Sequence, residues 1–417
     1  MDKELFLYIF NFLLYLGLDI YLYRKKRSLL LLLMVSIWVL SSFVGIFYYL
    51  NPFAAIPYEP TIEPFLFLFG CFVITMIPFF VFNDKTIGEM KIYYHQDMFT
   101  VIIYVLALCS FVPFLEILYH IFKTGLSDLG SNYELLTSGT SSDRAHFSVI
   151  GKYMYSIEEY MKFISMPLLF AYLVCDRKKS KIITIGMILC AILPTLNNFA
   201  NGQRYFVMIT AFSFAFNYFL FSNMMSTELS TRIRKWAYIA GGGGIVLFLA
   251  ISIRRFGEDS DYESEFGTTY QFLRYFGESF TRFNTEVWHL TSFMNGDFSL
   301  ASFYAYFYGN EIDIQANNMK LGIISNNFYT YVGDFFIDFR YYSVLVVALL
   351  SVVFYRIANK VKSGSVRLGD LFLINVYASI PMFGITYFVY RNGFVHLLWA
   401  IILSLIFNGL TAKRNYE

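Results

Sequence analysis

The chain has 417 residues, of which 57% are hydrophobic and 21% aromatic. Only 15% are charged, against about 25% in soluble domains. With a mean hydropathy of +0.53 and a net charge of +2, this excludes a disordered chain, a disulfide scaffold, a nucleic-acid binder and a cytosolic enzyme. The fold class expected is an all-α polytopic membrane protein, with residues 1–417 forming a single integral membrane domain.

Crossing a bilayer takes about 20 mostly apolar residues, and about eleven runs meet that measure. In chain order they are Leu5–Tyr23, Ser28–Leu50, Phe65–Phe82, Met98–Phe122, Ile157–Cys175, Ile182–Asn197, Tyr205–Met225, Trp236–Ile253, Tyr341–Ala358, Leu371–Tyr390 and Gly393–Leu410. The opening Met1-Asp2-Lys3-Glu4 lacks a basic segment, and basic residues follow the first run, so that run is expected to be retained rather than cleaved.

Lys and Arg clusters set the orientation. Arg24-Lys25-Lys26-Arg27, Lys85 with Lys91, Arg177-Lys178-Lys179, Arg232 with Arg234 and Lys235, Arg356 with Lys360, and Lys413-Arg414 fall in every second connection. This places the N-terminus outside and the C-terminus in the cytoplasm. The outer side then holds a medium loop, 123–156, and a long one, 254–340. The long loop is too aromatic for disorder and is expected to fold as a helical extracytoplasmic cap. No internal duplication is visible, which weighs against repeat-built transporters. Cys71, Cys109, Cys175 and Cys190 all lie in apolar runs and read as small core residues, not as ligands or bridges.

Outside, Arg outnumbers Lys at span ends. Arg204 closes an Asn-Gly-Gln turn, Arg254 and Arg255 end span eight, Arg340 opens span nine, and Arg391 opens an Arg-Asn-Gly turn. Arg binds phosphate oxygens through a planar fork and stays charged, so a ring of such residues suits a diphosphate ligand. The plainer alternative is snorkelling to ordinary lipid headgroups.

In the long loop Arg274, Glu278 and Arg282 recur every four residues and share a helical face, and His289 returns to within about 20° of Glu278 on an ideal helix. A carboxylate and an imidazole between guanidiniums suit proton abstraction from a hydroxyl beside an anion, while paired charges on a solvated helix are the alternative. Glu116 and His120, four apart near the outer end of span four, are further candidates for an acceptor site. Asp259 and Asp261 have the spacing for a hard cation, but an acidic solvated loop explains them and no metal is expected.

Asn-Gly-Gln-Arg204-Tyr after span six, Arg-Tyr-Phe-Gly-Glu-Ser-Phe-Thr-Arg-Phe-Asn284 in the long loop, and the arrangement of a dozen or so spans with one dominant late loop resemble the Wzy-type O-antigen and capsule polymerases of bacteria. That family is related to O-antigen ligases and to GT-C glycosyltransferases. The resemblance implies polymerisation of undecaprenyl-diphosphate-linked oligosaccharides, as donor and acceptor, into surface polysaccharide such as lipopolysaccharide or capsule. The reaction would occur at the outer face of the bacterial cytoplasmic membrane, with inversion, without metal or other cofactor, and with a separate chain-length regulator as partner. It implies diphosphate-binding roles for Arg204, Arg254, Arg255, Arg274 and Arg282, and a role for His289; the position of Arg340 and Arg391 adds these two to the set. Glu278, His289, Glu116 and His120 stay open as the base. An O-antigen ligase and a lipid-linked oligosaccharide flippase are the rival readings.

Overall fold

The computed structural model describes residues 3–82, 92–93, 95–124, 144–175, 179–203, 205–256, 267–309, 314–323, 328–362, 366–391 and 393–413. In chain order they form α1 (Lys3–Arg24), α2 (Leu29–Tyr49), α3 (Ile62–Val81), β1 (Ile92–Tyr93), α4 (Gln96–Cys109), α5 (Phe111–Thr124), α6 (Val149–Tyr160), α7 (Ser165–Val174), α8 (Lys181–Ala200), α9 (Tyr205–Phe221) and α10 (Thr227–Phe256). There follow α11 (Gly267–Thr285), α12 (Ala301–Tyr308), α13 (Ile314–Leu321), α14 (Thr330–Phe339), α15 (Ser343–Lys362), β2 (Val366–Arg367), α16 (Leu368–Phe383) and α17 (Phe394–Lys413). The two strands are two residues each and pair in parallel, Ile92 opposite Val366 and Tyr93 opposite Arg367. Among the described residues all other regular structure is helical, as a polytopic all-α protein requires.

Among the described residues, seven helical stretches are long and apolar enough to cross a membrane: Lys3–Arg24, Leu29–Tyr49, Ile62–Val81, Gln96–Thr124, Lys181–Ala200, Phe206–Met224 and Thr330–Asn359. Three expected spans appear as shorter apolar helices, Ser165–Val174, Leu368–Phe383 and Phe394–Gly409. The fifth run breaks at residues 161–164 and restarts with Pro167 in the first turn of α7, where its missing N–H costs nothing. Span four bends at Ser110, and Pro113 again falls in a first turn, that of α5. Span nine starts earlier than its hydropathy indicates, at Thr330, because α14 carries Asp334 and Asp338 into an otherwise apolar helix.

The chain divides into two compact units, and the division falls within α16 and α17. The first comprises Met1–Thr86, Thr269–Ser365 and Val376–Leu398. Here α1 packs along α2 and α3 along α15, around an aromatic core. The buried indole of Trp38 meets Tyr15, Phe72, Phe280 and Tyr331, and its Nε1–H donates to the Pro381 carbonyl at 2.7 Å. A buried Trp N–H needs such a partner. Gly277 brings α11 onto α2: a Cβ there would lie 2.8 Å from backbone atoms of Val44 and Gly45.

The second unit comprises Ile87–Thr268, Val366–Asn375 and Trp399–Glu417. Its centre is α8, packed on α4, α5, α7 and α9. Gly186 of α8 lies against Ala107, where a Cβ would come within 2.4 Å of the Ala107 carbonyl oxygen, and the Ser110 hydroxyl donates to Gly186 O at 2.8 Å. Small residues at a helix crossing are the usual means of close packing in lipid. Asn217 donates to Asn375 at 2.8 Å, and Asn375 to the carbonyl of Phe163 at 3.0 Å, so one amide chain links three segments.

Candidate functional site

In the first unit α11 presents one continuous row of alternating charge. Arg274 Nε donates to Glu278 Oε2 at 2.8 Å, and Arg282 Nε donates to Glu278 Oε1 at 2.8 Å. Arg282 also pairs with Glu286, one turn further on. The four-residue spacing that puts these groups on one face is read directly from the sequence. Their burial is not. Glu278, Arg282 and Glu286 are buried, and the Arg274 side chain, at 34% exposure, is the one member that reaches the surface. Burial disfavours the charge on both arginines, but the Glu278 carboxylate more than offsets it, so both pKa values rise. The Tyr48 hydroxyl, 3.4 Å from Glu278 Oε1, adds a third donor, and Phe328 lies under the Arg274 guanidinium. The row is therefore held in place inside an aromatic wall rather than solvated.

His289 does not join this row. α11 ends at Thr285, so the helical rotation that would carry His289 back over Glu278 stops one residue before Glu286. Its ring is exposed and stacks on Tyr58 at 4.7 Å between centroids.

Arg391 lies in a turn, as expected, but its guanidinium faces inward and is fully buried. It donates to Asp334 Oδ1 at 2.9 Å and lies over the rings of Tyr387 and Phe298, 4.7 and 5.0 Å from their centroids. Burial opposes its charge, and Asp334 more than restores it, so its pKa too is raised. Asp334 also accepts from the Phe388 amide at 2.5 Å, while Asp338 accepts from the amides of Phe298 and Ser299 at 2.9 and 2.6 Å. Two carboxylates one helical turn apart thus anchor the segments at 298–299 and 388–391. Sequence reasoning passed over both aspartates, although acidic residues inside an apolar run are the signal that finds them. Arg340 occupies the break between α14 and α15 with φ 51°, its guanidinium over Phe336 and Tyr341.

The second unit holds Glu116 and His120. Glu116 accepts from the amide and the hydroxyl of Ser148, at 3.2 and 2.5 Å, and so holds the residue that caps α6. Gly151 makes room for that carboxylate, because a Cβ there would overlap it. His120 stacks on His146, with ring centroids 4.6 Å apart. Burial, followed by the adjacent His120, lowers the His146 pKa to about 4. Nearby, Asn197 donates to the Tyr155 hydroxyl at 3.0 Å, and Arg144 pairs with Glu159. His146, Tyr155 and Asn197 complete a polar cluster that sequence spacing alone does not reveal, since they come from three segments.

Arg204 lies outside the described residues, as do Asp259 and Asp261; the backbone at Arg254 and Arg255 is the last turn of α10, with their side chains outside the described set. Among the described residues no group of three or more His, Cys, Asp or Glu is arranged to hold a metal ion. No family model matches the chain, and neither a curated protein nor a solved structure is similar to it.

Proposed function

We propose that this protein is a multi-pass glycosyltransferase of the bacterial cytoplasmic membrane that joins undecaprenyl-diphosphate-linked repeat units into a surface polysaccharide. The observation that carries the reading is the Glu278 carboxylate held between Arg274 and Arg282 on α11, within the longest connection of the chain. Glycosyl transfer from a lipid diphosphate needs a base for the acceptor hydroxyl and cations for the departing diphosphate, where negative charge develops. Both group types stand here side by side. Arg274, the partly exposed member, meets the diphosphate first and exchanges a carboxylate partner for phosphate oxygens. Glu278 then sheds a guanidinium donor and has a lone pair for the hydroxyl proton. Donor binding and readiness of the base are coupled in this way. In the same reading the cap faces outward, about eleven spans cross the membrane, and Arg204, Arg254 and Arg255 add to the cationic surface of the donor site.

The test is the surface-glycan pattern of a deletion strain and of strains carrying Arg274→Ala or Glu278→Gln at wild-type protein level. Polymerase function predicts loss of the long-chain ladder with a single repeat unit still displayed. Loss of even the single unit would identify a ligase or flippase, and an unchanged ladder would remove the protein from this pathway.

A further inference from the structure

Glu158 stands out in the second unit because no step of the proposed reaction uses it. It lies on α6, which packs against α4, α5 and α8, and it is fully buried. Neither carboxyl oxygen has a hydrogen-bond partner of ordinary geometry among the described residues. The polar groups that act on it are thiols, Cys190 of α8 and Cys109 of α4. Charged groups nearby are committed elsewhere. Arg144 pairs with Glu159, the next residue but about 100° away around the helix. Glu116 of α5 is held by Ser148, and the Lys162 ammonium lies over the rings of Phe163 and Phe206. Lys152 points outward and is exposed.

With no cation bonded to it among the described residues, a carboxylate buried in this place pays its desolvation in full when ionised, and the neutral acid is the less costly state. We infer that Glu158 is a proton-binding site inside the helical bundle of the second unit, occupied as the neutral carboxylic acid with the Cys190 sulfur as its neighbour. Ionisable residues inside helical bundles of membrane proteins are costly and commonly mark sites where protons are held or passed on. The assignment is independent of the glycosyl-transfer reading and stands or falls separately.

The experiment is infrared spectroscopy of the full chain in lipid at neutral pH, wild type against Glu158→Gln, with Glu158→Asp as a second variant. The expected result is loss of a protonated-carboxyl C=O stretch in Glu158→Gln, together with a shift of a cysteine S–H stretch, and a displaced C=O stretch in Glu158→Asp. Loss of a carboxylate band instead, or of no carboxyl band at all, overturns the assignment. Should the variants not fold, dicyclohexylcarbodiimide on the wild-type protein decides. The acid O–H adds across one C=N bond and the O-acylisourea rearranges to an N-acylurea, with every atom retained. Adduct found on Glu158 by peptide mass supports the site, and adduct confined to other carboxyls overturns it.

Discussion

Glu278 makes three polar contacts and has no exposed surface, so removing its charge takes the carboxylate from Arg274 and one of two carboxylates from buried Arg282. Breaking a buried ion pair from one side costs about 3–5 kcal/mol, far more than deletion of an exposed pair. Glu278→Ala is expected to lower thermal stability in detergent by that order. The triple variant Glu278→Leu, Arg282→Met and Glu286→Leu, which removes the buried charges together, should recover much of the loss but none of the polymer synthesis. Equal stability of wild type and Glu278→Ala would show that the row is not buried as described. Asp334→Ala should behave likewise, because it takes the carboxylate partner from buried Arg391. His146 offers a pH test. Its pKa falls from the ordinary 6.5 to about 4 in the folded state. Between those values the unfolded chain binds a proton that the folded chain refuses, so its contribution is complete above 6.5 and is lost as pH falls towards 4. His146→Phe should flatten the dependence of melting temperature on pH across that window, and an unaltered slope would remove His146 as its source.

At the level of elements, glycines decide which helices touch. Gly277 on α11 and Gly186 on α8 each sit where a methyl group would meet backbone atoms of the neighbouring helix, and backbone cannot yield as a side-chain tip can. Gly277→Ala and Gly186→Ala are expected to cost about 1–3 kcal/mol each through overpacking, read as a drop in melting temperature. Gly17, with open space around its position, is the matched control and should be neutral on that count. The two substitutions differ in consequence. Displacing α11 moves the Arg274–Glu278–Arg282 row, so Gly277→Ala should also shorten the glycan ladder, whereas Gly186→Ala leaves that row untouched.

For the molecule as a whole, the claim most open to test is sidedness. In a background with Cys71, Cys109, Cys175 and Cys190 replaced, a cysteine at exposed Tyr308 should react with a membrane-impermeant maleimide in intact spheroplasts, and one at Lys25 should react only after lysis. The reverse pattern would invert the topology and place the charged row on the wrong side for lipid-linked glycans.

The class of fold was legible in the chain without its partners. Apolar runs and scarce charge dictate membrane helices whatever their partners, because each run must satisfy its own backbone in lipid. The face shared by Arg274, Glu278 and Arg282 was equally legible, since helical periodicity is local. Other features depended on contacts distant in the chain. Whether Arg391 points to a phosphate or to Asp334 is settled by a residue 57 positions away. His120 and His146 meet only because α5 and the segment before α6 fold back on each other. Span counts blurred for a related reason. Hydropathy averages over a window and passes across the breaks at 161–164 and 384–391, where turns interrupt helices within largely apolar sequence. Only tertiary structure decides which ionisable groups are paired, which are turned inward, and which, like Glu158, are buried with thiols for company, because burial is a property of the neighbours that assemble around a residue.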